Sequence, residues 1–142
     1  MAVAECYEQI ARDLGELHKK LKRIQSLMLE EYRVSLMEYY ILCVMLREKR
    51  ASQNELAALL DVDKALISRQ IQSLVRKELL SCSLDPDCRR RNTLALSEKA
   101  LALIPTLEEV HRRSLERLFS DIDGEKLNDF SIILKGLVSK IC

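Results

Sequence analysis

Lys64, Ser68, Gln72 and Arg76 stand four residues apart, so a helix holds them in one row, with Arg69 beside it and Ala65 near its start. No Asp or Glu interrupts the stretch from Lys64 to Lys77, whereas a merely solvated helix face usually mixes both signs. Lys, Arg, Gln and Ser donate hydrogen bonds to phosphate oxygens and to base edges, so this row is suited to a nucleic-acid groove. A second cationic cluster, Arg89, Arg90 and Arg91, lies within the polar segment Asp85-Pro-Asp-Cys-Arg-Arg-Arg-Asn92. Arginines on a loop suit a narrow minor groove, where negative potential is focused. Between Lys64 and Arg91 seven basic residues stand against three acidic ones, a surplus of +4 in a chain whose net charge is only +1.

Other chemistry is sparse. The five cysteines, Cys6, Cys43, Cys82, Cys88 and Cys142, are odd in number and contain no C-x-x-C pair, which argues against a disulfide framework or a zinc knuckle and for the cytoplasm. Cys88 beside Arg89 has a neighbour that favours the thiolate, and Cys6 near one chain end could meet another subunit's thiol, so these two are the redox candidates. Most lone cysteines are small apolar fillers all the same. His18 and His111 are the only imidazoles, with Glu108 and Glu109 beside the second; this is too little for a metal site, and no metal or cofactor is expected. The chain contains no Gly-rich phosphate loop, nucleophile elbow or H-E-x-x-H, and it is read as a non-enzyme.

The elements that must hold these residues are helical. In 142 residues there are only three Gly and two Pro, too few for a many-stranded protein, while 48% hydrophobic and 32% charged content suits one folded soluble domain. The longest apolar run, Tyr39 to Leu46, is eight residues against the roughly 20 needed to cross a bilayer, so no membrane partner is expected. Glu5 and Glu8 interrupt anything resembling a secretion signal.

Tyr7, Ile10, Leu14, Leu17, Leu21, Ile24 and Met28 alternate steps of three and four, the narrow stripe of a helix that pairs along a seam. Leu127, Phe130, Leu134, Leu137 and Ile141 repeat the pattern after a cap at Asp123. Two such terminal helices predict pairing between subunits, a homodimer. Between them, Ser35 with Glu38 and Ser52 with Glu55 have capping-box spacing, and Asp63 can cap a third helix running to about Glu78. The short connection from Leu60 to Asp63 makes the second and third of these a helix-turn-helix, with Ile67, Ile71, Leu74 and Val75 inward. Ser52 and Gln53, at the start of its first helix, join the residues expected to meet nucleic acid. Leu80–Leu84 and Thr93–Leu96 then read as strands of a hairpin whose loop, residues 85–92, carries the arginines. Pro105 should kink or split the helix that begins after Ser97.

In this order the chain resembles the MarR family of bacterial transcription regulators from about Tyr7 onward. Asn54-Glu-Leu-Ala-Ala-Leu-Leu-Asp-Val-Asp63 is similar to the family's first helix-turn-helix element, and Ile67-Ser-Arg69 with Leu74 to its recognition helix. Asp85-Pro-x-x-Arg-Arg90 with Leu96-Ser-Glu-Lys-Ala100 resembles its wing and exit helix. The resemblance implies a mainly α fold with a small β-hairpin wing. It further implies a homodimer joined by residues 1–30 and 97–142, and a winged helix-turn-helix lobe over residues 34–96. That lobe would read double-stranded DNA at a pseudo-palindromic operator, as a repressor released by a small-molecule effector or by thiol oxidation. Arg90 takes the minor-groove role, with Arg89 and Arg91 on phosphates, and Tyr39 and Tyr40 lie near the crevice where family ligands bind. Three positions depart from the family pattern: Glu78 replaces a glycine that ends the recognition helix, Cys82 a common arginine, and Cys88 an aspartate that braces the wing arginine. The rival reading is a helical protein-interaction or RNA-binding module with a basic hairpin.

Overall fold

A computed structural model describes residues 2–85 and 88–141, and for residues 84–92 it describes backbone pairing alone. Six helices and three strands follow in the order α1 (Val3–Glu30), α2 (Leu36–Glu48), β1 (Arg50–Ser52), α3 (Gln53–Leu60), α4 (Lys64–Arg76), β2 (Leu80–Asp85), β3 (Cys88–Leu96), α5 (Glu98–Phe119) and α6 (Gly124–Lys140). The expected caps start the helices. Ser35 Oγ accepts from the Glu38 N–H while the Glu38 carboxylate accepts from the Ser35 N–H. Ser52, Asp63, Ser97 and Asp123 cap α3, α4, α5 and α6 in the same way, each satisfying a backbone donor that the helix cannot use.

The core lies where α2, α3, α4 and the first half of α5 meet the small sheet. Leu29, Ile41, Leu42, Met45, Leu56, Ile67, Leu74, Leu94, Ile104 and Leu107 are fully buried there. At about 1.5–3 kcal/mol per buried side chain, this cluster dominates the stability of the central lobe. Between α3 and α4, Asp61 adopts a left-handed conformation at φ 51° and its N–H returns to the end of α3, so three residues suffice to turn the chain.

Several expectations need correction. The sheet has a third strand: β1 pairs antiparallel with β3, giving the order β1-β3-β2. Three residues are too short a run for alternation to reveal, and the cap at Ser52 masks them in the sequence. The hairpin pairs much further out than residues 80–84 and 93–96, reaching Asp85 opposite Cys88, with an irregularity between Leu84 and Asp85. Backbone pairing, blind to side-chain polarity, carries the strands past the apolar part of the sequence. Val75 is 38% exposed rather than inward. Pro105 does not split α5, which runs unbroken from Glu98 to Phe119. It stands in the third turn of that helix, and both α1 and α2 pack against the same element.

Helix α4 ends at Arg76, two residues earlier than expected, in a closed C-terminal motif. The Glu78 N–H donates to Val75 O and the Leu79 N–H to Leu74 O. This motif requires a left-handed residue after the cap, and Glu78 supplies it at φ 62°. A Cβ costs about 1–2 kcal/mol in that conformation, more than the about 0.4–1 kcal/mol of unfolded-state freedom that glycine brings. Glu78→Gly should therefore stabilise the protein by about 0.5–1 kcal/mol, seen as a thermal midpoint about 1–4 °C higher; a lower midpoint would contradict the assignment.

Candidate nucleic-acid interface

Helix α4 separates its two faces as its sequence predicts. Ile67, Ile71 and Leu74 are buried in the lobe, while Lys64, Ala65, Arg69, Gln72 and Arg76 are exposed and Ser68 is half-buried. Gln53 at the start of α3 and Cys82 on β2 join Ser68, Gln72, Val75 and Arg76 around an open groove of about 510 Å³. Gln53 is thereby brought into the group. Ser52 is set apart: it is 7% exposed and its hydroxyl accepts from the Glu55 N–H. On β2 the side chains of Ser81, Cys82 and Ser83 are all exposed, so Cys82 flanks the polar row of α4 and does not fill a core position. The side chains of Cys88, Arg89, Arg90 and Arg91 lie outside the described residues. Their backbone belongs to β3, in the hairpin that adjoins this groove through Cys82.

Residues that no local pattern singles out hold α4 in place. The Glu38 carboxylate, 4% exposed, accepts from Lys77 Nζ at 2.9 Å through each oxygen and from Ser73 Oγ at 3.2 Å. Lys77 Nζ also donates to Arg33 O, and Lys99 Nζ donates to Lys77 O. Ser97 Oγ donates to Glu78 O, tying the start of α5 to the end of α4. Glu38 and Lys77 are 39 positions apart, so neither is recognisable beforehand as one half of an ion pair. The one available signal, Glu38 in a capping box, accounts for it locally.

A cavity of about 430 Å³ opens between α1, α2 and the first turn of α4, with His18, Leu21, Lys22, Gln25, Tyr40 and Leu66 in its lining. Tyr40 lines this cavity, whereas Tyr39 does not share in that lining and is 6% exposed. Its ring lies 4.9 Å from that of His111, and burial pushes its hydroxyl well above the usual range. Buried Gln25 donates its amide to His111 Nε2 at 2.8 Å, which leaves the imidazole proton on Nδ1. Burial lowers the His111 pKa in keeping with that neutral state. Cys43 is half-buried beside Tyr39, and burial raises its thiol pKa, making it a poor nucleophile. Cys6 and Cys82 are exposed. Among the described residues no three His, Cys, Asp or Glu side chains gather as a metal site, and no helix is long and apolar enough to cross a membrane.

The terminal helices leave apolar surface uncovered. Helix α6 buries none of its residues, and Phe130, Leu137 and Ile141 of its stripe are exposed. Tyr7, Ile10 and Ile24 of the α1 stripe are exposed as well.

Comparison with known proteins agrees with this architecture. The sequence model of the MarR family matches residues 34–91. An uncharacterized HTH-type transcriptional regulator of Bacillus subtilis (strain 168), YhbI, is 23% identical over 121 residues, which cover 85% of this chain and 79% of that protein. Among solved structures, a mutant of MarR from E. coli complexed with operator DNA superposes with a TM-score of 0.83 at 16% identity, covering 96% of this chain and 99% of that one. The transcriptional regulator BldR from Sulfolobus solfataricus superposes with a TM-score of 0.84 at 19% identity, covering 99% and 100%. The MarR resemblance read from the sequence is borne out, and so is the fold class, mainly α with a small antiparallel wing sheet.

Proposed function

We propose, from a lobe that matches the MarR family over residues 34–91, that this chain is a transcription regulator that reads double-stranded DNA as a homodimer. The observation that carries the reading is the carboxylate-free row of exposed Lys64, half-buried Ser68, and exposed Gln72 and Arg76 on α4, with Arg69 beside it. These side chains, with Ala65 and Gln53, would enter a major groove, and the β2–β3 hairpin would carry Arg90 into the adjacent minor groove with Arg89 and Arg91 on phosphates. Ser52 acts through the cap it provides to α3.

Residues 34–96 form the reading lobe, and residues 1–30 and 97–142 bring two copies together, since the uncovered stripes of α1 and α6 require a partner. A two-fold dimer matches a pseudo-palindrome whose half-sites lie about one helical turn apart. The cavity beside Tyr40 abuts the first turn of α4 through Leu66, so a small effector held there would move the reading helix and release the operator, as in a repressor. Oxidation of Cys88, or of exposed Cys6, is the alternative release. The row has the donors of a DNA-binding face and none of the constellations of an enzyme, and the protein would work in the cytoplasm.

Selection of bound duplexes from a random pool, with and without peroxide, tests this reading. A pseudo-palindrome should be enriched and bound about 10³-fold or more above random duplex, with affinity falling steeply with salt. Peroxide should weaken binding of the wild type and not of Cys88→Ser. Equal affinity for every duplex would refute base reading.

A further inference from the structure

We propose that Glu38 and Lys77 are positioning residues for base reading: their ion pair sets the depth and tilt at which α4 is presented, without touching DNA. The inference rests on the DNA-reading function proposed above. Gln70, Ser73 and Lys77 fall along one flank of α4, centred about 130° around the helix from the row Ser68, Gln72 and Arg76 at 3.6 residues per turn. All three are tied to the start of α2 or to the turn before it. Ser35 Oγ donates to Gln70 Oε1 at 3.1 Å, Ser73 Oγ and Lys77 Nζ donate to the Glu38 carboxylate, and Lys77 Nζ donates to Arg33 O. The helix is therefore held at its middle and at its C-cap by directional bonds on a flank separate from its reading row.

An ion pair between a buried carboxylate and a half-buried ammonium is a poor choice for stability alone, because a well-packed apolar pair commonly does as well or better. Charge–charge geometry, unlike apolar packing, admits one arrangement of the two helices. The carboxylate has both oxygens engaged and lies 4% exposed, so sliding α4 by part of a turn would strip it of Lys77 and Ser73 and leave the Ser35 N–H to serve a buried charge. The pair is also electrically neutral, and its removal leaves the field at the reading face nearly unchanged. Packing residues such as Ile67 and Leu74 keep α4 in the lobe, and the ion pair fixes where along its contact the helix stops.

The experiment compares wild type, Lys77→Met, the double variant Glu38→Met with Lys77→Met, and Glu38→Gln. Thermal unfolding is measured alongside fluorescence anisotropy on the duplex selected by the wild type and on random duplex, over a range of salt concentrations. Lys77→Met leaves a buried carboxylate unpaired and lowers both the thermal midpoint and the selected-over-random ratio. The double variant recovers the midpoint, while its ratio stays about tenfold or more below wild type, the scale of one misread base pair. Its salt slope is unchanged because no phosphate contact is lost. Glu38→Gln keeps the shape and one acceptor oxygen, puts a donor NH2 where the other oxygen accepted, and folds even if the double variant does not; its ratio falls at least threefold at the same salt slope. A double variant or Glu38→Gln within twofold of the wild-type ratio overturns the proposal. A wild type that selects no duplex overturns the DNA-reading function itself, and the positioning role with it.

Discussion

Phe130→Asp combined with Leu137→Asp should convert the protein to a monomer and weaken its binding to a two-fold operator by about 10²–10⁴-fold. Both side chains are exposed on α6, at 38% and 42%, and that helix buries none of its residues within one chain. Charge at these positions therefore costs the isolated fold little, within about 0.5 kcal/mol for free surface sites, but puts unpaired carboxylates in the middle of any interface. The large effect arises because the second half-site is engaged at the high effective concentration set by the first, and a monomer forfeits that gain entirely. Sedimentation velocity reads the assembly state, and anisotropy on full and half operators reads the affinity; the half-site affinity should stay within a few-fold of one wild-type lobe. A variant that remains a dimer with intact operator affinity shows that the α6 stripe is not the seam.

The second large effect separates reading from anchoring. Arg69→Ala and Gln72→Ala should each flatten base preference at one or two positions of the operator, costing about 1–3 kcal/mol on the preferred sequence and little on random duplex. Arg90→Ala should weaken all duplexes alike and reduce the salt slope by about one. The contrast follows from chemistry. A guanidinium or a carboxamide makes two aimed hydrogen bonds to a base edge, whereas an arginine in a minor groove is held chiefly by potential. Binding curves on a set of single-position operator variants distinguish the two patterns. Uniform weakening by Gln72→Ala would remove it from the base-reading group.

Much of the reading face was legible before the fold was known. The four-residue spacing of Lys64, Ser68, Gln72 and Arg76, the absence of carboxylates among them and the cap at Asp63 are all contained within one helix. Its inner face was only partly legible: Ile67, Ile71 and Leu74 are buried, while Val75 sits at the boundary and lines the open groove. The wing was readable in kind but not in extent. The polar composition of residues 85–92 suggests a loop, yet backbone pairing continues to Asp85 and Cys88.

Caps, helix periods and charge clusters are properties of a dozen neighbouring residues, and local hydrogen bonding and amphipathicity suffice to specify them. That is why the order of the helices, the hairpin, the cationic row and the two terminal stripes can be recognised from residue types alone. Pairings across distance follow another logic. The edge strand Arg50–Ser52 exists because β3 offers it a ladder, Glu38 is neutralised by a lysine 39 positions away, and His111 meets Gln25 86 positions away. Each depends on which surfaces the folded core brings within hydrogen-bonding reach, and no local propensity encodes that proximity.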